Sequence, residues 1–354
     1  LDKKILEICL SPDLGGLELY MKDLTIELKA MAVIGKNSRL DSYFDKNKIS
    51  YLKLKKRAFL NLAKIIDKNE IDIIHLHWTK DLPIAVLAKL FSKRKPKIIQ
   101  TRHMHMTRFK DDFYHKFLYK NLDAIIAVTK LVKKQLEEFI PLEVRPKIFE
   151  SYIGAKDFQE ISQEKKNELK EKYNIKDEFL VSIVGRIEIP KGQHLVLEAV
   201  KNLREKGINA KTLVIGHTMD ENYLEKLKNI YKEDIFTGFV NNASELMQIS
   251  NCLVLATKKE TFGLVLIEAM KCGICVLGNN KGGPLEIIED NRSGLLFDDE
   301  KENDLFEKLL LIQKDEELRK TLAQNGKNRA KEIFDSKKQF DEIKNILEKF
   351  QNLI

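Results

Sequence analysis

The sequence is short of residues that staple, rigidify or anchor a chain. Its 354 residues include four cysteines, seven prolines, sixteen glycines and one tryptophan. The cysteines, Cys9, Cys252, Cys272 and Cys275, are too few for a disulfide scaffold. Cys272 and Cys275 have C-x-x-C spacing, but no second pair or thioredoxin-like context accompanies them. All four read as structural thiols and imply a reducing compartment. Scarce proline and glycine exclude collagen-like or low-complexity bulk. No run approaches 18 apolar residues, so no transmembrane helix is expected. No secretory signal pattern is visible, although the chain starts at Leu1 and not at Met. G-x-G-x-x-G is missing, which removes a dinucleotide fingerprint. D-x-D is missing too.

What is present is an ordinary globular composition, 43% hydrophobic, in a chain long enough for two domains. Net charge is +8 and unevenly spread. Residues 1–154 hold 30 Lys and Arg against 19 Asp and Glu, a net +11; the remainder holds 32 against 35, a net −3. The basic excess suggests an anionic partner for the first half, unless it is merely a soluble lysine-rich surface.

Strand-like and helix-like runs alternate. Strands are expected at Lys4–Leu10, Ile71–His75, Lys97–Thr101, Ala124–Val128, Phe179–Val184, Lys211–Gly216, Cys252–Ala256 and Gly294–Phe297. Helices are expected at Leu17–Lys29, Pro83–Phe91, Lys130–Phe139, Lys165–Tyr173, Gln193–Lys206, Ala243–Ile249, Lys301–Gln313, Glu316–Phe334 and Lys337–Leu353. This is an α/β chain with parallel sheets and helices on both faces. Ligands of such sheets bind beyond the carboxyl ends of the strands.

Several strand ends carry chemistry. Asp13-Leu14-Gly15-Gly16 precedes a helix and lets main chain approach a phosphate, or is only a tight turn. His75-Leu76-His77-Trp78 points two imidazoles to one side. They read first as packing, with an acceptor-cleft wall or a metal site as alternatives; no third ligand is near in sequence. His103 and His105 follow the strand at Lys97–Thr101. Gly185-Arg186-Ile187-Glu188-Ile189-Pro190-Lys191-Gly192 puts two cations at a strand end, able to bind a diphosphate as it leaves.

Residues 252–289 are the most informative. A polar loop holding Glu260 leads into a helix that contains Glu268. Helical rise puts the two carboxylates about 8–12 Å apart. Between them the amides of Gly263, Leu264 and Val265 suit an anion. Carboxylate, phosphate-binding helix end, carboxylate is the order of a nucleotide-sugar: sugar hydroxyls, diphosphate, ribose hydroxyls.

The run ETFGLVLIE, with EAMKCGICVL and GGPLEII beside it and G-R-x4-K-G upstream, resembles the retaining GT-B glycosyltransferases of family 4. The resemblance spans nearly the whole chain and is strongest over 180–290. It implies two Rossmann-like domains facing across a cleft: 1–154 for the acceptor, 155–335 for the nucleotide-sugar, and a C-terminal helix, 336–354, crossing back onto the first. The hinge is Tyr152-Ile153-Gly154 where the family often has Asn-Gly.

The resemblance also assigns roles. Glu260 holds donor-sugar hydroxyls and Glu268 the ribose. Arg186 and Lys191 clamp the diphosphate. Gly15 and Gly16 face it, Val240 belongs to the loop whose main chain meets the base, and Phe262, Gly263, Leu264 and Val265 complete the donor site. His103 borders the reacting centre, with His105 as the alternative register. His103, Arg186, Lys191 and Glu260 are thus the catalytic set.

Without D-x-D, cations and helix amides neutralise the diphosphate, so no metal and no cofactor are expected. No residue marks a double-displacement nucleophile, and the family's account of retention is front-face attack within an ion pair. The expected partners are a UDP- or GDP-sugar and a glycan or lipid-linked acceptor of cell-envelope polysaccharide or lipopolysaccharide synthesis. Basic and aromatic residues interleave at Lys53–Leu60 and at Arg108–Tyr119. They suit an anionic membrane surface, or are amphipathic helices with snorkelling lysines. A peripheral protein at the inner face of the cytoplasmic membrane follows, with no nucleic acid as partner. The alternatives are a GT-B epimerase or phosphorylase, and a nucleotide-sugar-binding or nucleic-acid-binding protein without catalysis.

Overall fold

The computed structural model describes residues 4–55 and 57–350. It divides into two domains. One holds residues up to Tyr152 and those from Lys337 onward; the other is Ile153–Ser336. Both are α/β domains built on a parallel sheet.

The first domain runs β1 (Lys4–Cys9), α1 (Gly16–Leu28), β2 (Met31–Gly35), α2 (Asp41–Lys46), β3 (Tyr51–Leu54), α3 (Phe59–Lys68), β4 (Ile71–Leu76), α4 (Leu82–Phe91), β5 (Lys97–Arg102), α5 (Phe113–Lys120), β6 (Ala124–Ala127), α6 (Lys130–Phe139) and β7 (Lys147–Glu150). All pairs are parallel, in the order β3-β2-β1-β4-β5-β6-β7. Helices cover both faces, so strands such as KILEIC and AIIA are buried almost throughout. Leu6, Ile8, Ile74 and Leu76 pack with Leu62 and Ile66 of α3 and Ala85 of α4. Cys9 and Ile34 pack with Met21 of α1 and Phe44 of α2. The chain winds outward from β1, returns to β4 and winds outward the other way, which makes β1/β4 the switch point.

The second domain runs α7 (Gln163–Lys172), β8 (Phe179–Val184), α8 (Gln193–Glu205), β9 (Ala210–Ile215), α9 (Glu221–Ile230), β10 (Ile235–Gly238), α10 (Ala243–Met247), β11 (Cys252–Leu255), α11 (Leu264–Lys271), β12 (Cys275–Asn279), α12 (Pro284–Ile287), β13 (Leu295–Phe297), α13 (Asp304–Lys314) and α14 (Glu316–Ile333). Its parallel sheet has the order β10-β9-β8-β11-β12-β13, with the switch at β8/β11. Where this domain begins and ends, Ala155 bridges Asp335. A Cβ on Gly154 would lie 2.5 Å from Ser336 main chain, so only glycine fits that crossing. The last helix, α15 (Ser336–Lys349), serves the first domain: Gln339 Nε2 donates to Tyr20 Oη at 2.7 Å, and Ser151 Oγ donates to Glu342.

The basic-aromatic run at 53–60 is not a helix. It is the end of β3, a turn with Arg57 at φ +67°, and the first turn of α3. Lys56 of that run lies outside the described residues. All four cysteines are free thiols.

Candidate functional site

In the second domain the loops after β8 and β11 converge at the switch point. Lys191 stands 69 residues from Glu260 in sequence, yet its Nζ donates to Glu260 Oε2 at 3.3 Å. Arg186 is half-exposed, with Nη2 3.3 Å from Glu188. Gln193 Nε2 donates to the Arg186 carbonyl at 2.8 Å and pins that loop. The Gly283 amide donates to the Glu260 carbonyl at 3.0 Å, so the Gly-Gly-Pro segment holds the other loop.

Gly263 is the N-cap of α11 at φ +105°, a conformation that disfavours any side chain. It therefore offers no capping oxygen, and the first amides of α11 lack a side-chain cap. Leu264 and Val265 open the helix, both partly exposed. Glu268 is its fifth residue, and burial pushes its carboxyl up to about 7. That side chain makes no hydrogen bond to the described residues. A cation-held carboxylate, uncapped helix amides and an unpartnered carboxylate thus follow one another along this loop and helix.

Three residues add detail. Phe262 is buried and its ring packs on Phe334, so what it can offer a ligand is main chain. Val240 follows β10 and packs against the cluster of Leu213, Ile215 and Leu246. Thr257, which the sequence did not single out, follows β11 and has a buried Oγ1 without a hydrogen-bond partner among the described residues. A hydroxyl two residues past a buried strand is common, so nothing in the sequence marks it.

In the first domain the switch point holds the Gly-Gly loop and a buried imidazole cluster. Asp81 Oδ2 accepts from the Leu10 amide at 2.8 Å and fixes the exit from β1. Gly15 is the N-cap of α1, with extended main chain, and a Cβ on Gly16 would meet nothing within 4 Å. The fold thus leaves room beside Gly16. Glu18 in the first turn of α1 would share that helix end with an incoming phosphate.

His75 and His77 are buried, with ring centroids 4.5 Å apart. The partner that sequence proximity did not reveal is Glu7 of β1, 68 residues from His75. Its signal was present: a carboxylate in the middle of an otherwise apolar buried strand. Glu7, His75 and His77 each bring a ligand atom to within 4.8 Å of the others. All four ring nitrogens are already hydrogen-bonded, to Glu7, Thr101 and His103, so the set fits a hydrogen-bond network. His103 follows β5 directly and joins this cluster. His105 reaches Gln135 of α6 instead, at 3.3 Å.

Two family models divide the chain between them. Residues 14–147 match "Glycosyltransferase Family 4", and residues 165–329 match "Glycosyl transferases group 1". The chain belongs to the family 4 glycosyltransferases. This glycosyltransferase is 27% identical to N-acetyl-alpha-D-glucosaminyl L-malate synthase of Bacillus anthracis, over 78% of this chain and 74% of that protein. It is 27% identical to a Campylobacter jejuni enzyme named N-acetylgalactosamine-N,N'-diacetylbacillosaminyl-diphospho-undecaprenol 4-alpha-N-acetylgalactosaminyltransferase, over 84% and 82%. Its fold is similar to that of Anabaena HepE, solved in complex with UDP-glucose, with a TM-score of 0.87 at 18% identity over 98% and 99% of the two chains.

Proposed function

We propose that this glycosyltransferase takes its sugar from a UDP- or GDP-sugar, retains the anomeric configuration and needs no metal. The observation that carries the reading is the second-domain site: Lys191 against Glu260, then the uncapped start of α11, then Glu268. Glu268 accepts from ribose hydroxyls, and Glu260 from donor-sugar hydroxyls. Lys191, Arg186 and the amides of Gly263, Leu264 and Val265 meet the diphosphate and stabilise its charge as the glycosidic bond breaks. That work does not call for a metal ion. In the first domain Gly15 and Gly16 offer main-chain amides to a phosphate oxygen, and His103 offers a ring nitrogen to a sugar hydroxyl.

The acceptor is a glycan or lipid-linked sugar of cell-envelope synthesis, reached at the inner face of the cytoplasmic membrane. Two facts support this. The Campylobacter relative is named for an undecaprenol diphosphate acceptor. The first domain also exposes aromatic side chains among cations: Phe109 at 60%, Phe113 at 88% and Tyr114 at 53%, with Arg108, Lys110 and Lys116 nearby in sequence. A small hydroxy acid is the second reading of the acceptor, favoured by the name of the Bacillus relative.

The test is transfer from a panel of UDP- and GDP-sugars in EDTA, to an undecaprenyl-diphosphate-linked sugar and to malate, with product configuration read by NMR. The expected result is an α-linked product from an α-linked donor, undiminished by EDTA. Strict dependence on added Mg²⁺ or Mn²⁺, or an inverted product, would contradict it.

A further inference from the structure

A carboxylate inside a sheet is costly unless it is paired and hydrogen-bonded. Glu7 is fully buried, and its register sets it opposite His75. His77, two residues on, shares that face of the sheet. Glu7 Oε1 lies 3.1 Å from His75 Nδ1, and Oε2 lies 2.6 Å from His77 Nε2. Burial pushes the Glu7 carboxyl up, but the His75 charge and hydrogen bonds from His75 and His77 outweigh it and hold it at about 2. Burial, then the His75 charge, depress His77 to about 4. Burial and the His77 and His75 charges depress His103 well below its ordinary value. At neutral pH the carboxylate is ionised and both rings are neutral.

An ionised carboxylate only accepts, so His77 donates through Nε2. A neutral imidazole has one N–H, so His77 Nδ1 is an acceptor. That atom lies 3.4 Å from His103 Nε2, a long hydrogen bond in which His103 donates. The Nδ1 of His103 then keeps its lone pair, and it has no hydrogen-bond partner among the described residues. The ring is also fixed in place. Tyr20 packs edge-on to His77 and His103, with centroids 5.7 and 5.1 Å away. Arg102 holds the His103 loop through the carbonyls of Met104 at 2.8 Å and His105 at 3.0 Å.

We propose that Glu7 and His77 are positioning residues that fix the tautomer and aim of His103, so that its Nδ1 accepts a hydrogen bond from a ligand hydroxyl. The inference rests on the reading of His103 as bordering the donor sugar. A lone pair there favours a hydroxyl and repels a phosphate oxygen, so it sorts the sugar end of the donor from the diphosphate end. No proton moves along the chain; it is a fixed alignment of donors and acceptors.

The test is side-chain NMR of protein labelled with ¹⁵N-histidine. Wild type is expected to show His77 and His103 each protonated at Nε2 and bare at Nδ1. A His103 proton on Nδ1, or on both nitrogens at pH 7, would overturn the proposal, and this spectrum needs no variant. Glu7→Gln keeps the shape but cannot accept from both rings, so His103 is expected to become a mixture of tautomers. Its kcat is expected to fall roughly 10²-fold, as for a displaced reacting group. In a His103→Ala background the same substitution is expected to cost almost nothing further, because it acts through His103. An equal loss in both backgrounds would show a general structural effect and overturn the positioning role. A UDP-sugar that binds is expected to shift the His103 Nδ1 signal. An unmoved signal beside an intact tautomer would overturn the placement of His103 at the sugar, a failure distinct from loss of the tautomer.

Discussion

Glu260 and Glu268 are the same residue type in opposite surroundings. Glu260 sits against Lys191, and Glu268 has no hydrogen-bond partner among the described residues, where burial raises its carboxyl from 4.5 to about 7. The ionised form is the better acceptor for two ribose hydroxyls. Raising the pH from 6 to 8 ionises Glu268, so nucleoside diphosphate affinity is expected to rise, by at most about tenfold per pH unit below the pKa. The phosphate titrates nearby, so Glu268→Gln is the control, and a slope unchanged in that variant would contradict the assignment. Folding responds with the opposite sign. A raised carboxyl gives stability that is whole below 4.5 and lost as pH rises through about 7.

The cations beside this site are testable singly. Arg186→Ala and Lys191→Ala are each expected to lower kcat by roughly 10²–10³, the cost of one transition-state donor. Both lie in a loop, so the melting temperature is expected to change little. Steady-state kinetics near wild type for both would remove the clamp.

At the scale of the element, the sequence was most legible where one periodicity ran unbroken. The strand Phe179–Val184 and the helix Lys130–Phe139 were read with the bounds the structure shows. Short and mixed elements were not. Met31–Gly35 follows a helix with only Lys29 and Ala30 between, so the change of period has no room to show. Tyr51–Leu54 is an edge strand whose two middle residues are exposed, which hides its alternation. The next residues were merged with it into one basic-aromatic run. The switch-point loop with Glu260 was legible because its residues are adjacent in sequence. The Glu7–His75–His77–His103 cluster was not, because strand pairing, not spacing, assembles it.

The helix α5 carries its own prediction. It buries Leu118 and Tyr119 and leaves Phe113, Tyr114 and Phe117 exposed. Each cation near an anionic surface contributes about 1 kcal/mol, screened by salt. Sedimentation with phosphatidylserine-containing vesicles is expected to show binding that fades as salt rises. Phe113→Ser with Phe117→Ser is expected to weaken it severalfold, and so is Lys55→Glu with Arg57→Glu. Indifference to such vesicles at low salt, with efficient use of a soluble acceptor, would contradict the membrane reading and leave the transferase activity standing.

For the whole molecule, two sheets of the same winding carry different work. The second domain has the cation-held carboxylate, the uncapped helix and the carboxyl that burial raises to about 7, with a small negative net charge. The first has an imidazole cluster at its switch point, buried at His75 and His77 and partly exposed at His103, and the basic excess. No described helix is long and apolar enough to cross a membrane. The account stands on the order of groups in the second domain, ribose at Glu268 and sugar at Glu260. Calorimetry with UDP, GDP and their sugar conjugates on Glu268→Ala and Glu260→Ala tests it most directly. Glu268→Ala is expected to weaken the free nucleoside diphosphate. Glu260→Ala is expected to leave that affinity nearly unchanged while it damages turnover. The reverse pattern, with Glu260→Ala losing the nucleotide and Glu268→Ala keeping it, would contradict the account.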